Sequence, residues 1–120
     1  MSSQEHFDNE SLQTLQEIME DEFNELIELF ISDSGKRLPA MELAWETRNA
    51  VGLRMEAHSF KGSSANVCAR ELSRLNMELE DLLRDRTPDD SEWQELHNKI
   101  NAIRAETGVV HDYFQQMLQA

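Results

Sequence analysis

The chain holds 120 residues, 39% hydrophobic and 29% charged, with four Gly and two Pro; that is enough for a single domain with a genuine core, and the composition is globular and helix-rich rather than disordered. A formal net charge of −13, from 24 acidic and 11 basic residues, repels a phosphate backbone and an anionic bilayer alike, so nucleic acid and membrane are excluded as partners. The opening MSSQEHFDNE carries neither the basic flank nor the apolar stretch of a secretory signal, and no apolar run is long enough to span a bilayer, so a soluble, cytoplasmic protein is expected.

Strand signals are nearly absent, and from Leu12 onward apolar residues recur at the spacing of an amphipathic helix. The first predicted helix, about 10–19, follows a cap at Asn9 or Ser11 and turns Leu12, Leu15, Ile18 and Met19 to one side; being short, it is expected to act as a lid. The second, about 21–48, buries Phe23, Leu26, Ile27, Phe30, Ile31, Leu38, Met41 and Trp45, and Pro39 should bend it or split it in two. The third, about 51–67, follows a connection at 48–51, and the fourth, about 69–86, faces the core with Leu72, Leu75, Leu79, Leu82 and Leu83. The segment RDRTPDDSE then breaks the pattern and offers a cap at Asp90 or Ser91 for a last helix over about 91–118. Its core positions are Trp93, Leu96, Ile100, Ile103, Val110, Phe114 and Leu118, and Gly108 lies inside it as a tolerated or weak point.

Helices of this kind joined by short polar turns are expected to form an all-α, antiparallel four-helix bundle with an additional short N-terminal helix. The expected domain spans residues 1–120, with the bundle core at about 21–118.

The lone Cys68 has no second Cys for a disulfide or a metal pair and reads as a small core residue. Glu-x-x-His pairs, which a metal-binding bundle would use, are absent. His97 and His111 share similar helix faces but stand about 21 Å apart, too far to hold one ion. Both, with His6, read as ordinary structural or surface histidines.

The segment AHSFKGSSANV, residues 57–67, is different. Wound at about 100° per residue, it puts Leu53, Ala57, Phe60, Ser64 and Val67 on one core stripe and points His58 away from it. Lys61 and Gly62 follow His58 at the spacings that make helix neighbours, and Ala65 lies one turn further on. An exposed imidazole with a cation and small residues beside it suits transient phosphorylation. The imidazole is a competent nucleophile near pH 7, the Lys offsets phosphoryl charge, and the Gly leaves a partner room to approach. The same residues also fit an exposed His and Lys that are merely solvated, with Gly-Ser-Ser as a helix end.

The longer run AHSFKGSSANVCARELSRL resembles the histidine-containing phosphotransfer (HPt) family, through His58, Lys61, Gly62, Ser63, Ser64, Val67 and Ala69. Similarity to that family's bundle extends over most of the chain. The resemblance implies a phosphotransfer intermediate without ATP-dependent kinase activity of its own, and no Gly-rich phosphate loop is present. His58 would accept a phosphoryl group from the receiver-domain aspartate of a hybrid sensor kinase and pass it to a response-regulator receiver. Lys61 would stabilise phosphate charge, and Glu80, at the position where the family commonly has Gln or Glu, would orient the imidazole. Gly62, Ala65 and Ser63 would form the docking surface.

No cofactor is expected on this chain, Mg2+ belonging to the partner receiver. A standalone, monomeric, bacterial-type member is the expected form. The sequence departs from the family pattern at Cys68, where Gly is usual, and at Phe60, where Leu is common. The rival reading is a helical adaptor that binds receiver or kinase domains without carrying phosphate.

Overall fold

A computed structural model describes residues 5–119. It contains five helices, α1 (Asn9–Met19), α2 (Glu22–Glu46), α3 (Ala50–Asn66), α4 (Arg70–Leu82) and α5 (Asp90–Gln119), and no strand among the described residues. Helices α2 to α5 form the bundle: α3 packs on α2 and on α4, and α5 closes against both α4 and α2.

The core is the apolar stripe of each helix turned inward. Ile27, Met41, Leu53, Phe60, Leu72, Leu79, Ile100, Ile103 and Phe114 are fully buried, as the periodicity requires. The stripe of α3 is buried throughout, from Leu53 through Ala57, Phe60 and Ser64 to Val67 just past its end.

Helix ends are set by side chains that reach free backbone N–H groups, and here the expectations need correcting. The cap of α1 is Asp8, not Asn9 or Ser11: its carboxylate accepts the Ser11 N–H at 3.2 Å and the Ser11 hydroxyl at 2.7 Å. The cap of α5 is Asp89, not Asp90 or Ser91. Its Oδ1 accepts the Glu92 N–H at 2.9 Å while Glu92 accepts the Asp89 N–H at 3.2 Å, a reciprocal capping box. Asn49 caps α3 by accepting the Gly52 N–H at 2.9 Å.

Two further expectations need revising. Of the bend or split expected at Pro39, the split does not occur; helix α2 runs unbroken from Glu22 to Glu46. Pro39 is exposed, the carbonyl it leaves unpaired belongs to Gly35, which is also exposed, and buried residues on either side, Phe23 to Phe30 and Met41 to Ala44, pin both halves to one core. Helix α4 stops at Leu82, four residues short of the expected end, because the chain turns through Leu83 and a left-handed Asp85 (φ 56°). Leu82 is consequently exposed while Leu83 is buried.

The α3–α4 turn carries another left-handed residue, Cys68, at φ 60°. That conformation explains why Gly is usual there in the family the sequence resembles. Helix α1 is tied down from this turn. The Asp8 N–H donates to the Cys68 carbonyl at 3.0 Å, and the Glu71 N–H, in the first turn of α4, donates to the His6 carbonyl at 3.2 Å. Phe7 is buried against Tyr113 and Phe114, ring centroids 4.6 and 5.2 Å away. Beyond this strap, residues 6–8, α1 buries only Leu12, and Ile18 remains 74% exposed.

Candidate functional site

The site is built where α3 and α4 lie side by side. His58 projects from the middle of α3 because its core stripe faces the other way, and its side chain is 66% exposed. Glu80 reaches it from α4. Its Oε2 lies 2.6 Å from His58 Nδ1, and its Oε1 accepts a hydrogen bond from Lys61 Nζ at 2.7 Å. One buried carboxylate therefore holds both the imidazole and the ammonium, one on each oxygen.

The electrostatics fix the tautomer. The hydrogen bond from Lys61 holds Glu80 below the ordinary carboxylate range, His58 adds to this, and burial opposes it without prevailing. An ionised Glu80 only accepts hydrogen bonds, so His58 Nδ1 carries the proton and donates it. Nε2 is the ring nitrogen that Glu80 does not engage, on a side chain that is 66% exposed. The Ser73 hydroxyl, from α4, donates to the Lys61 carbonyl at 3.1 Å and ties the two helices together beside the site.

Of the residues singled out from the sequence, His58, Lys61 and Glu80 are brought together. Gly62 and Ala65 are exposed, and helical winding puts both within about 40° of His58. A Cβ added at Gly62 would meet nothing within 4 Å, so neither packing nor backbone conformation demands glycine there. Ser63 turns toward α2 and donates to the Phe60 carbonyl at 3.2 Å rather than joining the imidazole. Ser64 is buried in the core stripe.

The other three histidines each have a partner inside the bundle. His97 meets Glu42 at 3.0 Å and lies against Trp45, His111 meets the Ser34 hydroxyl at 2.6 Å, and His6 meets Glu106 at 2.7 Å. Sequence reasoning did not find the His6–Glu106 pair, whose members are 100 residues apart. Nor did it find that Lys61 is held by Glu80, which no local spacing encodes.

A helical bundle with an outward-facing histidine, oriented by a carboxylate from the next helix, is the architecture of a phosphotransfer domain. The sequence matches the Hpt domain family over residues 25–119, and the chain belongs to that family. Among solved structures it is similar to histidine-containing phosphotransfer protein B (HptB) from Pseudomonas aeruginosa PAO1, at 37% identity over 95% of each chain and a TM-score of 0.86. It is also similar to a rice protein assigned to the histidine-containing phosphotransfer proteins, at 25% identity and a TM-score of 0.84, over 99% of this chain and 85% of that one. No curated protein matches the sequence. Members of this family are phosphotransfer intermediates rather than kinases, and among the described residues no helix is long and apolar enough to cross a membrane.

Proposed function

We propose that His58 is the phosphoryl-carrying residue of a multistep phosphorelay, accepting from a receiver-domain aspartate of a hybrid sensor kinase and donating to the receiver of a response regulator. The observation that carries this reading is the pair of hydrogen bonds on Glu80, which leaves His58 Nε2 unengaged with its lone pair free.

The Nε2 lone pair attacks phosphorus, the P–O bond to the receiver aspartate breaks, and the aspartate leaves as a carboxylate. The imidazolium so formed keeps its Nδ1 proton, and Glu80 offsets its charge. Lys61, close by and 31% exposed, can turn from Glu80 toward the incoming phosphoryl oxygens. Onward transfer is the reverse, with Nε2 as leaving group. The receiver supplies Mg2+ as well as the aspartate, and a cytoplasmic monomer suffices for the task. Gly62 and Ala65 keep the approach low, and the helix gives up about 1 kcal/mol at Gly62 relative to Ala.

The test is incubation of wild type and His58→Gln with phosphorylated receiver domains. Acid-labile, alkali-stable label on wild type alone is the expected result. Label persisting on His58→Gln moves the site elsewhere, and a folded wild type that no receiver labels favours the adaptor.

A further inference from the structure

His58 is bracketed along α3 by two cations. Lys61 follows it by three residues and Arg54 precedes it by four, so winding at about 100° per residue turns both to one side of it. That side faces α4, because Lys61 meets Glu80 there and Arg54 shares a hollow with Leu83 and Arg86. Along the axis Arg54 stands about 6 Å before His58 and Lys61 about 5 Å beyond it. Side chains on a helix lean toward its N-terminus, so the imidazole leans toward the turn that carries Arg54.

The two cations differ in what they already hold. Lys61 Nζ donates to Glu80 Oε1 at 2.7 Å, so a move to phosphoryl oxygens takes it from the carboxylate that orients His58. Among the described residues Arg54 has no hydrogen bond, ion pair or ring contact. It is half-buried, and the hollow it borders, of about 380 Å³, gives its side chain room to move. Asp85 is the carboxylate on the wall of that hollow and does not pair with Arg54. The other cations of the α4–α5 connection are engaged, Arg86 with Glu92 and Arg84 with Asp81 at 3.1 Å.

A phosphoryl group on Nε2 brings about two negative charges. Beside it the imidazolium and Lys61 are positive and Glu80 is negative, which leaves negative charge in excess, in a chain whose formal net charge is already −13. We infer that Arg54 is a second phosphate-holding residue of this site, its guanidinium swinging from the hollow to the phosphoryl oxygens at the end opposite Lys61. Its planar fork grips two of those oxygens at once, which an ammonium cannot do, and it gives up no protein partner in moving. With Arg54 in place, Lys61 can return to Glu80 and keep the imidazole oriented for onward transfer. This inference rests on the phosphotransfer reading and names the residue that holds the group once it is on Nε2.

The experiment labels the full chain with two donors, phosphorylated receiver domains and phosphoramidate. Phosphoramidate is small and needs no docking; Nε2 attacks its phosphorus, the P–N bond breaks and ammonia leaves. Wild type is compared with Arg54→Gln, Arg54→Lys and Arg86→Gln, all checked for unchanged helical circular dichroism. Arg54→Gln should be labelled about tenfold more slowly by both donors, the effect of losing a charge-assisted contact to the transferred group. Arg54→Lys should recover part of that rate, and Arg86→Gln, which removes a charge from the same hollow, should match wild type. The Arg54 Nε–H resonance, assigned by its loss in Arg54→Lys, should shift when His58 of wild type is labelled.

Wild-type rates in Arg54→Gln overturn the inference, as does an Nε–H resonance that labelling leaves in place. A loss confined to the receivers overturns it as well, because Arg54 would then be a docking contact. Equal losses in Arg54→Gln and Arg86→Gln also overturn it, assigning the effect to the general field of this end of the bundle. If neither phosphoramidate nor any receiver labels wild-type His58, the phosphotransfer reading fails and this inference with it.

Discussion

Two histidine–carboxylate pairs in this bundle share almost the same contact and differ in everything around it. His58 Nδ1 meets Glu80 Oε2 at 2.6 Å, and His6 Nδ1 meets Glu106 Oε2 at 2.7 Å. Both carboxylates are buried, yet the His58 side chain is 66% exposed and the His6 side chain 11%. Glu80 is bonded by Lys61 and held ionised, whereas burial drives Glu106 above the ordinary carboxylate range, with Glu71 adding to the rise and His6 only partly offsetting it. A histidine–carboxylate contact thus presents a nucleophile only when the far nitrogen reaches solvent and a cation keeps the carboxylate charged. Without those two conditions it is a polar tie in the core.

The sharpest way to break the comparison is to remove each histidine. His58→Gln should abolish phosphoryl transfer and leave the unfolding free energy, read from urea titration, within the range of an ordinary surface substitution, about 0.5 kcal/mol. His6→Gln should do the reverse, keeping His58 labelling while lowering stability. Loss of labelling in His6→Gln at full stability would show that the strap contributes to transfer directly.

Next in size is Glu80→Ala, which removes the group orienting His58 and frees Lys61. Transfer should fall about a hundredfold, the order of a lost acid–base or orienting partner. Glu106→Ala serves as its control and should leave the transfer rate unchanged once the protein is folded. Lys61→Ala should slow transfer without unfolding the domain, and equal transfer rates in wild type and Lys61→Ala would remove the ammonium from the mechanism.

His6→Ala tests the structural pair alone. It leaves the buried Glu106 without its hydrogen bond, at a cost of about 1–3 kcal/mol. Thermal unfolding read by circular dichroism should show a clearly lowered Tm, and an unchanged Tm would mean that Phe7 and the two backbone hydrogen bonds hold the strap unaided.

These differences show why one pair was legible in the sequence and the other was not. His58, Lys61 and Gly62 lie within one turn or so of a single helix, where winding alone relates them. Glu80 could be placed through the family resemblance, because α3 and α4 are joined by a short turn. His6 lies ahead of the first helix, outside any period, and its partner is near the far end of the chain. The helices themselves were legible because burial repeats with the helical period, and their ends were misplaced because capping depends on which carboxylate reaches which N–H, as at Asp8 and Asp89. Pro39 was read from its local cost, and the packing of both halves of α2 outweighs that cost.

The smallest effect separates the two carboxylates by pH, and its sign differs between them. The folded state holds Glu80 below its ordinary value of 4.5, so its contribution to stability is present above that value and lost as pH falls through the folded-state pKa. Glu80→Gln should therefore cost stability at pH 7 and converge on wild type at acid pH, where both side chains are neutral. Glu106 behaves in the other sense. Its folded-state pKa lies above 4.5, so wild type loses stability as pH rises from 4.5 through that value, because ionisation is easier in the unfolded chain. Glu106→Gln escapes this loss while keeping a polar group beside His6, and its stability relative to wild type should improve between about pH 4 and pH 7. Urea unfolding at several pH values, from about pH 7 down to well below the ordinary carboxylate value, measures both differences. Parallel curves for the two variants would mean that Lys61 does not distinguish the two carboxylates, and the electrostatic contrast between the pairs would fall.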